Sequence, residues 1–185
     1  MVARAPLPGG FTLIELMVTL AIMAMLLLAA APFTLDWADG TRQMRARSNL
    51  LEGVGQARAL AMRDPYRCGP AGGAVAKLAY AADTQTLRVF MRARAGGECA
   101  AGWEDAPVWQ GRITSSGGLA LHAVATPSCP ASTQLPPVPA GSPAFSCAAY
   151  DSRGRQVAES GCASQDQTCV AIAVGRQEPV YVDLL

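Results

Sequence analysis

The chain has 185 residues, enough for one helix and one modest domain, since domains usually hold about 100–150 residues. Its formal charge is +1, so no overall positive field draws it to nucleic acid, and any such binding has to come from a local patch. Hydrophobic residues make up 51% of it, a share raised by one apolar run near the start and by abundant alanine, so the remainder is less oily than the total.

Met1 to Gly10 contains Arg4, Pro6 and Pro8 and ends in Gly9-Gly10. Proline and glycine keep this leader out of a helix. From Leu16 to Leu35 no residue is charged, and about 20 apolar residues carry an α-helix across a bilayer's hydrocarbon core. The run therefore reads as a membrane span. Glu15 stands at its start, where an ionised side chain is costly in lipid and persists when a partner charge meets it. An ordinary secretory signal is cut after its apolar region, whereas the small residues here precede it, at Gly10/Phe11. Cleavage there leaves the helix attached and creates an α-amino group on Phe11, able to neutralise the Glu15 of a neighbouring subunit.

Gly10-Phe11-Thr12-Leu13-Ile14-Glu15 closely resembles the prepilin motif of type IV pilins and type II secretion pseudopilins, and Pro32 stands where that family's helix commonly bends. The resemblance implies that a membrane-embedded prepilin peptidase cuts after Gly10 and methylates the amine of Phe11. It also implies that the product joins other pilins in a helical filament, with Glu15 serving assembly. The alternative is a single-pass anchor in which these residues are accidental.

Polarity rises after Pro32, with Asp36, Asp39, Arg42, Arg45 and Arg47, so the helix leaves the membrane. The arginines fall on the outer side, against the positive-inside tendency, which leaves orientation to the leader and the motif. Residues 36–63 continue as an amphipathic helix in which Leu50, Val54, Ala57 and Ala61 recur at helical spacing. Gly53 and Gly55 each weaken it by about 1 kcal/mol relative to alanine. Asp64-Pro65 ends it.

Residues 64–185 read as a β-rich domain. Extended candidates are 74–80 and 86–93, joined by a hairpin connection, then 108–113, 119–124, 144–150, 168–174 and 180–184. Residues 127–143, with six prolines, read as a surface loop. The whole is α+β: a long N-terminal helix, half transmembrane and half amphipathic, packed on a C-terminal antiparallel β domain.

Six cysteines, Cys68, Cys99, Cys129, Cys147, Cys162 and Cys169, all follow the span. An even count in an exported domain predicts disulfides, with 15 possible pairings and Cys162 to Cys169 as the best local guess. Zinc is disfavoured, because there is no C-x-x-C and His122 is the sole histidine. The disulfides predict a periplasmic or extracellular domain.

Catalysis finds little support. His122 has no carboxylate nearby in sequence, Ser115-Ser116-Gly117-Gly118 lacks the context of a nucleophile elbow, and no cofactor motif is present. In 86–94, alternation puts Arg88, Phe90, Arg92 and Arg94 on one face and Leu87, Val89, Met91 and Ala93 on the core face. Three arginines around an aromatic suit single-stranded nucleic acid, and they equally suit the solvent face of a half-buried strand.

Three further pieces resemble the GspH/FimT family of minor pseudopilins: the helix end Leu50 to Ala61, the turn Tyr150-Asp151-Ser152-Arg153-Gly154-Arg155, and the strand Val170 to Gly175-Arg176. The resemblance implies an inner-membrane, single-pass subunit with a periplasmic domain, acting in assembly or at the filament tip and contacting other subunits or secreted cargo. Some members bind DNA near the terminal Gly-Arg turn, which would involve Arg176 with Arg153 and Arg155. Here Glu178 and Pro179 depart from that pattern. A DNA-binding minor pilin for DNA uptake is thus the alternative reading.

Overall fold

The computed structural model describes residues 10–68, 73–113, 118–125, 137–175 and 177–185, without the side chains of 31–35. Its elements are α1 (Leu13–Arg63), β1 (Ala76–Ala81), β2 (Thr86–Ala95), β3 (Glu98–Trp103), β4 (Trp109–Arg112), β5 (Leu119–Val124), β6 (Cys147–Tyr150), β7 (Gln156–Val157), β8 (Cys169–Val174) and β9 (Val180–Asp183). The architecture is α+β and pilin-like, as expected. The chain divides after Ala38 into two units, each described separately below.

In the first unit, Thr12 caps α1. Its Oγ1 accepts the backbone N–H of Glu15 at 3.3 Å. Thr12 and Glu15 thus stand at the two ends of a Thr-x-x-Glu capping pattern, and the carboxylate lies in the first turn, where the helix dipole favours it. From Leu13 to Ala30 the mean hydropathy is 2.5 and none of the segment is buried. A helix apolar on all sides and covered by nothing belongs in lipid or against other helices. The bend expected at Pro32 falls where side chains lie outside the described residues.

The second unit starts at Asp39 and holds the rest of α1. Ala46, Leu50, Val54, Ala57 and Ala61 are all at most 5% exposed and form the helical side of the core. Full burial of a leucine such as Leu50 contributes about 1.5–3 kcal/mol. The helix stops where expected. Asp64 adopts φ 33°, its N–H still bonds the carbonyls of Leu60 and Ala61, and Pro65 cannot continue the turn.

Two antiparallel sheets complete the unit. The larger runs β3-β2-β1-β6-β7, with β4 paired to the first half of β2 on the edge that β3 takes further along. The smaller runs β5-β8-β9. Leu78, Leu87, Val89 and Tyr150 of the first sheet share one core with Leu121, Val170, Ile172 and Val182 of the second. The expected strands at 108–113 and 119–124 are found as β4 and β5, but in different sheets. Two strands escaped the sequence reading. β3 is built from Glu-Cys-Ala-Ala-Gly-Trp with no apolar alternation, and β7 is only two residues long.

Helix and sheets are pinned by polar contacts as well as by the core. Gln43 is buried, and its Nε2 donates to the carbonyls of Ile172 at 3.0 Å and Glu178 at 2.6 Å. Asn49 Nδ2 donates to Arg112 O, and Trp109 Nε1 to Glu52 Oε1. Gly53 lets the sheet come close: a Cβ there would stand 3.0 Å from Leu78 Cδ1 and 3.2 Å from Trp109 Cζ3. On the other face of the smaller sheet, Val138 packs against Val124, Cys169, Ala171 and Tyr181. This part of the expected surface loop therefore covers apolar surface, while 127–136 lie outside the described residues.

Candidate functional site

At the N-terminus, Gly10 and Phe11 precede the first helical residue, and Phe11 is 83% exposed. Glycine and an unpaired stretch before a helix leave the Gly10/Phe11 peptide accessible, and the helix that follows keeps Glu15 one turn away. The site thus consists of a bond just outside the helix, an exposed aromatic residue, a capped helix start and one carboxylate.

The arginine-bearing face of β2 alternates as expected, with Leu87, Val89 and Met91 buried and Arg88, Phe90, Arg92 and Arg94 on the other side. That face is not open, however. Arg92 spends its guanidinium on the protein: Nε bonds Ala74 O at 2.9 Å, Nη1 bonds Ala101 O at 2.8 Å, and Nη2 pairs with Glu159 at 3.0 Å. Its Cζ also lies 4.4 Å from the centre of the Trp103 ring, and Lys77 Nζ lies 4.6 Å from the same ring and 5.7 Å from that of Phe90. Desolvation pushes the Lys77 ammonium below its ordinary pKa; Glu159 opposes the shift and Arg92 adds to it. Arg94 is exposed and bonds Gly97 O. Arg88 Nε is buried with no hydrogen-bond partner. Sequence reasoning missed Lys77, Trp103 and Glu159, because their convergence depends on β1 and β3 flanking β2 and on a return of the chain after β7.

Arg153 and Arg155 are elsewhere, in the turn between β6 and β7, with β1 and β6 separating them from β2 in the sheet order. Asp151 organises this turn. Its Oδ1 accepts the N–H groups of Arg153 and Arg155, both at 2.9 Å, and its Oδ2 accepts Arg155 Nε at 3.0 Å and Nη2 at 2.8 Å. Burial opposes the charge, but the bonds from Arg155 and Arg153 outweigh it and hold the carboxyl below its ordinary pKa. Arg176 lies outside the described residues. The candidate DNA-binding arginines that are described therefore form two separate groups, with Arg92 and Arg155 already paired.

The disulfides correct one expectation. Cys162 pairs with Cys147, not with Cys169, and Cys68 pairs with Cys99. The reason lies in the topology: the segment after β7 folds back on β6, where Ala163 N–H bonds Cys147 O at 2.8 Å, whereas Cys169 sits in β8 of the other sheet. Cys169 is also disulfide-bonded, and Cys129 lies outside the described residues. His122 is half-buried, with Nδ1 3.3 Å from Ser142 O. Among the described residues no group of three His, Cys, Asp or Glu side chains is placed to hold a metal ion.

Residues 9–31 match the model of the prokaryotic N-terminal methylation motif. That span includes Gly10, Phe11, Glu15 and most of the unburied apolar helix, and it supports a type IV pilin-like, prepilin-processed protein. No curated protein and no solved structure matches the chain.

Proposed function

We propose that this chain is a minor pilin or pseudopilin of the GspH/FimT kind, a subunit of a type IV pilus or type II secretion filament. Prepilin peptidase cuts after Gly10 and methylates Phe11, and the mature subunit enters the filament from the inner membrane with its disulfide-bonded domain on the periplasmic side. Residues 1–10 are the leader, 11–35 the membrane segment and 36–63 its amphipathic continuation; 64–185 form the domain displayed in assembly or at the tip, toward other subunits or cargo. Its role is structural rather than enzymatic.

The observation that carries this reading is the methylation motif at residues 9–31, set on a capped helix whose Leu13–Ala30 segment is wholly unburied. In a helical assembly the amine of one Phe11 neutralises the Glu15 of its neighbour, which removes the cost of two charges in a low-dielectric surrounding. Mass spectrometry of the mature protein is expected to find methylated Phe11 at the N-terminus. An intact Met1, or a cut beyond the apolar run, would overturn the reading.

The DNA-binding alternative now rests on Arg88, Arg94, Arg153, Arg155 and Arg176, since Arg92 spends its guanidinium within the protein, whereas Arg155, though paired with Asp151, stays 65% exposed. Each phosphate contact adds to the salt dependence of binding, so a titration of the mature protein with DNA at two salt concentrations tests it. No salt-sensitive complex removes it.

A further inference from the structure

A second group of charges gathers at Gly154, in the turn between β6 and β7. Gly154 is buried with φ 74°, and a Cβ placed on it would stand 3.3 Å from Met62 Cγ and 3.8 Å from Arg58 Nε. The last turns of α1 thus bring Arg58 against the backbone between Arg153 and Arg155. Asp151 holds the turn through its four accepted bonds, so the backbone at Arg153 and the guanidinium of Arg155 are fixed in place before any ligand arrives.

The charges here do not balance. Arg58 is half-buried, and among the described residues its guanidinium takes part in no ion pair. Arg153 is exposed and its side chain is likewise in no ion pair, while Arg155 gives its Nε and Nη2 to Asp151 and remains 65% exposed. Two other groups face this corner. Tyr150 is buried with its hydroxyl unbonded, and Asp183 acts on it from β9 with a sign opposite to that of Arg58, its Oδ1 accepting the N–H of Leu185. Asp151 is the one carboxylate in the turn, and Arg155 already takes it. A half-buried guanidinium is costly without a counter-charge, and two arginines from different elements offer planar donor forks suited to oxyanions.

We propose that Arg58, Arg153 and Arg155 form a binding site for a phosphate group. Three arginines against Asp151 in the turn and Asp183 on β9 leave the corner net positive, and guanidinium forks from two elements suit the several oxygens of a phosphate better than a single carboxylate. Arg58 and Arg153 supply the direct bonds, and Arg155 contributes through the side of its guanidinium turned away from Asp151. The site is independent of the filament role: it would exist in a single subunit.

Calorimetric titration of the mature full-length protein in detergent with inorganic phosphate tests the proposal, with sodium chloride at matched ionic strength as the reference. Saturable binding is expected, weakened at least tenfold in Arg58→Gln and in Arg153→Gln and unchanged in Arg47→Gln, an exposed arginine of α1. Because Arg153 is exposed, Arg153→Gln keeps the fold and decides the matter even if Arg58→Gln unfolds. Binding no stronger than that of chloride overturns the proposal. So does unaltered affinity in Arg153→Gln, or an equal loss in Arg47→Gln.

Discussion

Asp151 shows how much one side chain holds in place. Its two oxygens accept four bonds, three of them from Arg155 and one from Arg153, and they close a turn that Gly154 makes possible with φ 74°. The fold lowers the carboxyl pKa below its ordinary value, so the ionised form favours the folded state. Its contribution is complete above about pH 4 and is lost as pH falls through the folded value. Asp151→Asn is therefore expected to lower stability by about 2 kcal/mol at neutral pH. In denaturation curves taken at decreasing pH, the gap to the wild type should narrow; a gap independent of pH would contradict the assignment. The helix glycines give a second contrast. Nothing lies within 4 Å of a Cβ at Gly55, so Gly55→Ala should gain up to about 1 kcal/mol from helix propensity. Gly53→Ala meets Leu78 and Trp109 and should gain less or destabilise, as thermal melts of the two variants will show.

Among the elements, the strands were legible wherever alternation or an apolar run marked them. β2 is the clearest case, since its buried and outward residues follow the order read from Leu87 to Arg94. β3 was invisible because its pairing is imposed by the hairpin turn at Gly96 and Gly97 and by the bond from Cys68 to Cys99, not by its own side chains. The segment after β7 was invisible for a similar reason. Glu159 reaches Arg92 on β2 and Cys162 reaches Cys147 on β6, so the chain crosses the outer face that sequence alone leaves to solvent. Replacing Cys147 and Cys162 by alanine removes a crosslink across 15 residues and should cost about 3 kcal/mol, measured by urea denaturation against the oxidised wild type. Gln43 is the corresponding device on the helix. Gln43→Leu leaves the carbonyls of Ile172 and Glu178 without its amide, with an expected loss of about 1–3 kcal/mol and faster hydrogen exchange in the turn between β8 and β9.

At the scale of the molecule, the two units differ in what they bury. Residues before Asp39 carry an apolar helix with no buried face, and those after it carry a closed core with its own disulfides. A chain beginning at Asp39 is expected to fold in water without detergent and to keep both described disulfides, whereas the mature chain beginning at Phe11 needs detergent or lipid. Size-exclusion chromatography and circular dichroism of the two forms check this; aggregation of the shorter chain would show that the domain depends on the membrane segment. Glu15→Val should leave membrane insertion intact but prevent co-assembly with other pilin subunits, an outcome read by fractionation and crosslinking. Normal assembly of that variant would remove the proposed pairing with Phe11.

The sequence by itself determined the methylation motif, the apolar helix that follows it, the end of α1 at Asp64-Pro65 and the existence of disulfides. These depend on composition, on local spacing and on the conformations open to glycine and proline, all of which act over a few residues. Only the tertiary structure decided which cysteines pair, that Arg92 and Arg155 are held by Glu159 and Asp151, and that Arg58 stands beside Gly154. Those facts depend on which strands become neighbours, and that is set by burying one continuous core from a helix and two sheets. Glu15 marks the limit of both. Its place in the first turn of α1 is local and legible, while the charge that answers it belongs, on the function proposed here, to another subunit.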